Sequence, residues 1–365
     1  MDEAANRHKE KIASRTLGGE LRVGVRRFMW DGRSRARSKA TVAGAVLLGL
    51  AAQLHAADLQ PELSGNTRIH DPSVIEVDGK FAAFGTGEQG LYRGAIRVKT
   101  SPDGLKWADA GSVGKGVPKW AGETLGYQPN NVWAPSISRR GATFSVYYCL
   151  SSFGGNTSAI GLMTNTSFDV TKPGEGWTDQ GLVLMSSARD DFNAIDPFRI
   201  DASEGRAYLA FGSFWSGIKL SELAPETGKL KENAPVIALA GRHGGAVEAP
   251  SILERDGKFY LFVSFDQCCK GVASTYNIRV GRAERIEGPY LDRDGKEMLD
   301  GGGSLVLAGA GRFIGPGGQE ALKTSKGDML AYHYYDGDAG GVAKLQLSPI
   351  RWTADGWPEL AAFPQ

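Results

Sequence analysis

Three acidic residues hold matching places in a repeated phrase of this 365-residue sequence. Asp71 and Asp196 each stand directly before a proline, in HDPSVI and IDPFRI, and Glu248 stands two residues before Pro250 in EAPSIL. A single Asp before a proline has an ordinary use, because its carboxylate bonds nearby backbone amides in a turn. Three acids at one phase of a repeat point instead to chemistry. Like charges held close raise one another's proton affinity, so one carboxyl stays protonated near neutral pH while another ionises. A pair tuned in that way supplies a general acid and a general base, the two groups that cleave a glycosidic bond. Trp133, Phe153 and Trp215 lie near the same phrases. They offer flat apolar faces to sugar rings, although any one of them also suits a core.

The elements that must position these acids come from the repeat itself. The phrase begins at His70, Trp133, Ile195 and Glu248, with a weaker copy at Ile314. Each copy has an early proline, a short alternating stretch, a turn containing Gly, and a second stretch rich in Tyr, Phe, Leu and Val. The prolines are Pro72, Pro135, Pro197, Pro250 and Pro316, spaced by 63, 62, 53 and 66 residues. Each phrase predicts a β-hairpin, and Asp78-Gly79 and Asp256-Gly257 are pairs that supply positive φ at a hairpin turn. Proline donates no ladder hydrogen bond and belongs at the start or edge of a strand. Further strand-like stretches such as IRVKTS, IGLMTN and IRVGRAE lie between the phrases, and no long helical periodicity appears. About four strands per unit and five units predict an all-β, five-bladed β-propeller, with long loops for its class. An irregular two-sheet sandwich is the alternative. In a propeller the inner strands surround a central channel, so Asp71, Asp196, Glu248 and Trp133 are expected at one shared pocket.

Charge divides the chain near residue 57. Residues 1–57 hold 11 Lys+Arg and 5 Asp+Glu, whereas residues 58–365 hold 31 and 36. The basic part runs RSRARSKA, then TVAGAVLLGLAAQL, then HAAD, the order of a secretory signal peptide. The apolar run Ala40 to Leu54 is 15 residues, short for a membrane span of about 20. Residues 1–57 are therefore expected as a leader, with Met29 an alternative start that would make residues 1–28 a mis-assigned extension. Residues 58–365 are expected as one exported catalytic domain, periplasmic or extracellular. The acidic remainder has no basic run, which argues against a nucleic-acid partner, and no membrane partner is expected once the leader is removed.

At these residues the sequence resembles glycoside hydrolase family 43, and within it the endo-1,5-α-L-arabinanases. The stretches are HDPSVI at 70–75, VWAPSIS at 132–138, SSFGGNTSAIGLMT at 151–164, FNAIDPFRID at 192–201 and YLAFGSFWSGIKL at 208–220. They continue with VEAPSILERDGKFYLFVSFDQCCKGVASTY at 247–276, VGRAERIEGPYLDRDG at 280–295 and DGWP at 355–358. The resemblance implies a five-bladed propeller that hydrolyses arabinan with inversion. It implies Asp71 as general base, Glu248 as general acid and Asp196 as the residue that tunes and orients the acid. It also implies Trp133, Phe153, Asn156, Ser158, Ser213 and Trp215 as substrate-binding residues. Exo-acting arabinofuranosidase or β-xylosidase activity on the same fold is the nearest alternative. A non-catalytic sugar-binding propeller would be expected to lack one of the acids, and all three are present.

The sequence departs from that family in one place. The blade-five phrase commonly reads Gly-Pro-Gly-His, with the His helping to hold a central ion, and here Gly318 follows Gly317. No cofactor is therefore expected to be required and no residue is assigned to a metal; a calcium held through oxygen and water is the alternative. His333 in YHYYD is expected as a strand residue. Cys268-Cys269 is expected as reduced or buried thiols, because a ring closed between neighbours is strained, with a vicinal disulfide in an exported protein the alternative, and Cys149 is expected in the core. The sequence supports neither a Ser-His-Asp arrangement nor a phosphate-binding loop.

Overall fold

The computed structural model describes residues 59–364; the leader expected over 1–57 lies outside them. The first hairpin pairs Ser73–Val77 with Lys80–Gly85, and its turn residues Asp78 and Gly79 take φ of 50° and 75°. Asp256 and Gly257 repeat this at 49° and 73° between Val247–Arg255 and Lys258–Phe265. Both pairs therefore make the positive-φ turns that their residue types favour. Strands add outward from each hairpin in antiparallel order, giving five blade sheets; Ser64–Gly65 joins the outer edge of blade one in parallel, and Arg351–Trp352 with Pro358–Glu359 forms a small separate sheet. The inner strands are Ser73–Val77, Trp133–Arg140, Phe198–Asp201, Val247–Arg255 and Phe313–Thr324. The result is the five-bladed propeller that the repeat predicts, with helix confined to Trp120–Leu125 and single turns among the described residues.

The fifth blade is closed by the start of the domain. Its own sheet has three strands, ending in Val342–Pro349. The segment ahead of blade one completes it: Leu345 N donates to Thr67 O at 2.8 Å, and Ile69 N donates to Ala343 O at 3.2 Å. Pairing the first segment with the last blade leaves no open edge at the seam.

Burial follows from both faces of every blade being covered. Along one strand of blade one, Ala82 and Phe84 pack with Ile137, Val146 and Tyr148 of blade two, while Phe81 and Ala83 pack with Ala331 and Leu345 of blade five. Alternate residues therefore feed two different interfaces, and the strand reads as a continuous apolar run. Cys149 lies buried between blades two and three, as expected.

The prolines of the repeat mark a sharp bend at the mouth of each inner strand. The preceding residues Asp71, Ala134, Asp196, Ala249 and Gly315 have φ of 48°, 38°, 53°, 53° and 52°. A residue before proline ordinarily takes extended backbone, and for a non-glycine residue positive φ costs about 1–3 kcal/mol. In blades two and four the strand continues past a bulge at the bend, between Trp133 and Ser136 and between Glu248 and Ser251. Blades one and three have the same extra residue, with Thr86 N donating to His70 O and Gly212 N to Ile195 O, and there the residue directly before the proline, not the one two places before it, supplies the acid.

Candidate active site

The bends bring the repeat's polar residues to one cavity of about 1300 Å³. Asp71, Asp196, Glu248, Trp133, Phe153 and Trp215 all line it. Trp133 and Phe153 meet with ring centroids 5.1 Å apart, and Phe153 is 79% exposed at the cavity wall.

Asp71 is surrounded by groups that favour its charged form. His70 Nδ1 lies 2.7 Å from Asp71 Oδ2, and Thr86 Oγ1 donates to the same oxygen at 2.6 Å. Thr86 is fixed in turn, because its oxygen accepts from Ala134 N at 2.9 Å. Burial alone would push the Asp71 carboxyl up, but the charge and hydrogen bond of His70, with His333 and Thr86, hold it well below the usual carboxylate range. Burial lowers His70, and the charge and hydrogen bond of Asp71 more than reverse this, leaving it above its ordinary value.

Glu248 and Asp196 sit in the opposite environment. Glu248 accepts from Ser213 Oγ at 2.5 Å, and Asp196 Oδ2 accepts from Ala249 N at 3.1 Å. Burial and the negative charge of Asp71 push Glu248 up to about 7, against the Ser213 hydrogen bond and His70, which lower it. Burial and the charges of Glu248 and Asp71 push Asp196 well above the ordinary value. The two carboxyls therefore retain a proton near neutral pH while Asp71 is ionised. A protonated acid and an ionised base facing one cavity are the equipment for cleaving an acetal by proton donation at one oxygen and water activation at another.

Residues 64–358 match Glycosyl hydrolases family 43. The chain belongs to that family. It is 41% identical over 298 residues to the extracellular endo-alpha-(1->5)-L-arabinanase 1 of Bacillus subtilis, covering 81% of this chain and 88% of the relative. An extracellular exo-alpha-(1->5)-L-arabinofuranosidase of Cellvibrio japonicus is 34% identical over 304 residues, covering 80% and 86%. Among solved structures, a family 43 endo-arabinanase from Bacillus licheniformis superposes with a TM-score of 0.76 at 42% identity, covering 82% of this chain and 99% of the other.

Two residues that the family resemblance places in the substrate cleft do other work here. Asn156 is buried, and its side-chain amide donates to Asp190 O and Phe192 O at 2.9 and 3.0 Å. Ser158 is fully buried, with its hydroxyl 2.8 Å from that of Ser151. Neither lines the cavity; they brace the loop that presents Phe153. Ser213 and Trp215 do line it, with Ser213 bonded to Glu248. The cysteine expectation is also corrected: Cys268 and Cys269 are joined by a disulfide at a turn where Cys269 takes φ of 65°, and both line the cavity. His70, Thr86, His333 and Tyr335 were not singled out as site residues by sequence reasoning. His70 had a signal, its place beside Asp71. His333 is the strand residue expected, and it is also a neighbour of the base, accepting from Asp71 N at 3.1 Å.

A histidine at Gly318, which the family resemblance associates with a central ion, has no room in this chain. Among the described residues, His70, Asp71 and His333 form a group of metal-ligand types with donor atoms within 4.8 Å of one another. Every ring nitrogen of that group already has a partner: His70 meets Asp71 and Tyr335, and His333 meets Asp71 N and Tyr335. A Cβ at Gly318 would fall 2.6 Å from Asp71 Oδ1 and 2.8 Å from His333 Nδ1. The place a histidine side chain would need is taken by His333 itself.

Proposed function

We propose that this protein is an exported hydrolase that cuts internal α-1,5-L-arabinofuranosidic bonds of arabinan with inversion. The observation that carries the reading is the opposed ionisation of Asp71 and Glu248 in one aromatic-lined cavity. Asp71 takes a proton from water as that water attacks the anomeric carbon, and Glu248 gives its proton to the departing O5 of the next arabinose. Asp196 shares the buried pocket of Glu248, so the pair resists a second negative charge, and it orients the acid by accepting from Ala249 N, the amide next to Glu248. Both carboxyls end the cycle in the reversed state and exchange their protons with solvent to reset. Trp133, Phe153 and Trp215 supply apolar faces for the furanose rings. No step calls on a metal.

The experiment is digestion of linear debranched arabinan by the purified protein, with product sizing and NMR of the first anomer released. The reading expects a ladder of oligomers and a β-configured new reducing end. Monomer or dimer alone supports the exo-acting alternative, which the similarity to the Cellvibrio japonicus relative favours. Retention of the α configuration would overturn the roles given to Asp71 and Glu248.

A further inference from the structure

The hydroxyl of Tyr335 gathers hydrogen bonds from three blades, and the hydrolytic step does not itself use it. The backbone N–H of Cys269, on a blade-four loop, donates to it at 2.7 Å. His70 Nε2, ahead of blade one, lies 2.9 Å away, and His333 Nε2, in blade five, lies 3.2 Å away. Counting protons sets the directions. His333 Nδ1 accepts from Asp71 N–H, so its own proton is on Nε2 and is donated to Tyr335. The Tyr335 oxygen then accepts twice, and with His70 in its neutral form the Tyr335 O–H is donated to Nε2. His70 gives Nδ1–H to Asp71. Burial holds His333 well below its ordinary value, which agrees with a neutral ring there.

The outer end of this chain is covalent. Cys269 is bonded to Cys268, and its sulfur lies 3.7 Å from His70 Nε2. The loop that carries the pair is tied down by Lys270 N to Ser274 Oγ at 3.0 Å and by Thr275 N to Gln267 O at 2.9 Å. The ring thus sits between a braced loop and the imidazole that contacts the base. The charged and titratable groups around that imidazole are Asp71, Glu248, His333 and Tyr335.

We propose that Tyr335 is a positioning residue for the carboxylate of Asp71, acting through His70, and that the Cys268–Cys269 ring holds Tyr335 in that role. The proposal rests on the reading of Asp71 as the base. Without the hydroxyl, His70 Nε2, His333 Nε2–H and Cys269 N–H all lose their partner, and Asp71 loses a fixed Nδ1–H. Reducing the ring acts at the same point: a dithiol delivers two electrons and two protons, the S–S bond becomes two thiols, and the dithiol closes to its own disulfide. The Cys269 amide is then no longer held on Tyr335.

The test compares the oxidised protein with Tyr335→Phe, which keeps the ring and removes the hydroxyl. On linear arabinan, kcat is expected to fall roughly 10-fold with KM within about 2-fold, the size of effect that lost alignment produces. The acid limb of the kcat profile moves to higher pH, because Asp71 loses a partner that favours its charge. Dithiothreitol gives the wild-type protein the same changes in smaller measure and adds nothing to Tyr335→Phe; Cys268→Ser with Cys269→Ser reproduces reduced wild type. Histidine ¹⁵N NMR provides a readout independent of activity: the His70 ring signals shift in Tyr335→Phe and in reduced wild type. A wild type inactive on arabinan would overturn the functional reading and leave the His70 signals to judge the hydroxyl. Wild-type kcat, acid limb and His70 signals in Tyr335→Phe would overturn the proposal. If that variant does not fold, reduction of wild type decides, and no change in kcat or in the His70 signals overturns it. A reduction effect that persists undiminished in Tyr335→Phe would remove the ring from the device.

Discussion

The two sides of the cavity both desolvate their carboxyls and ionise them oppositely. On the side where blades five and one meet, Asp71 is given a hydroxyl donor and two imidazoles, and it is held as an anion. On the side of blades three and four, Glu248 and Asp196 are given each other, one hydroxyl and one amide, and they hold a proton. Burial raises every one of these groups. The partners decide which side is base and which is acid, and they differ from one copy of the repeated phrase to the next.

The largest test of that contrast removes either end. Asp71→Ala and Glu248→Ala are each expected to lower kcat on arabinan by on the order of 10²-fold or more, the scale of a lost general acid or base. A variant at either site with wild-type kcat would break the assignment.

A mirrored pair of smaller changes sharpens it. Thr86→Val removes a donor from the base side, so the acid limb of activity moves to higher pH and kcat falls roughly 10-fold, the scale of one hydrogen bond to a charged group. Ser213→Ala removes a donor from the acid side, where the hydroxyl lowers Glu248. The alkaline limb then moves above its wild-type position near pH 7, with the plateau rate changed only a few-fold. Limbs that move together in both variants would contradict two independently tuned sides.

The smallest effect concerns a fourth buried carboxyl, on an inner strand away from the cavity. Glu320 accepts from Ser73 Oγ at 2.7 Å, and burial pushes it up to about 8, against the hydroxyl hydrogen bonds that lower it. Its folded pKa lies above the ordinary 4.5, so its stabilising contribution is complete below pH 4.5 and is lost as pH rises toward 8. Glu320→Gln is therefore expected to gain Tm relative to wild type as pH is raised from 5 to 8, read by thermal denaturation at both values. An equal Tm difference at the two pH values would contradict the neutral buried form.

The repeat made much of this legible in advance. The prolines, the Asp-Gly turns and the apolar runs specify the blades, and the acids at one phase of the phrase do meet. The partners of Asp71 were hidden for a topological reason. Propeller closure joins the first segment to the last blade, so His333 and Tyr335 stand 262 and 265 residues from the side chains they touch. Asn156 and Ser158 were misplaced because a motif names residues without the direction of their side chains, and both point into the loop's own packing. At Cys268-Cys269 the sequence left a disulfide as the alternative to thiols, because adjacency alone cannot show the turn that carries the bond.

The pH dependence of kcat/KM on linear arabinan, measured for wild type and for Glu248→Gln, tests the central contrast most directly. The alkaline limb must follow loss of the Glu248 proton, and the acid limb must follow protonation of Asp71. Wild type is expected to lose activity as pH rises through about 7 and to keep it at acidities below the usual carboxylate range. The residual activity of Glu248→Gln is expected to lack the alkaline limb. An alkaline limb unchanged in Glu248→Gln, or a wild-type profile flat from pH 6 to about 9, would contradict the assignment of acid and base.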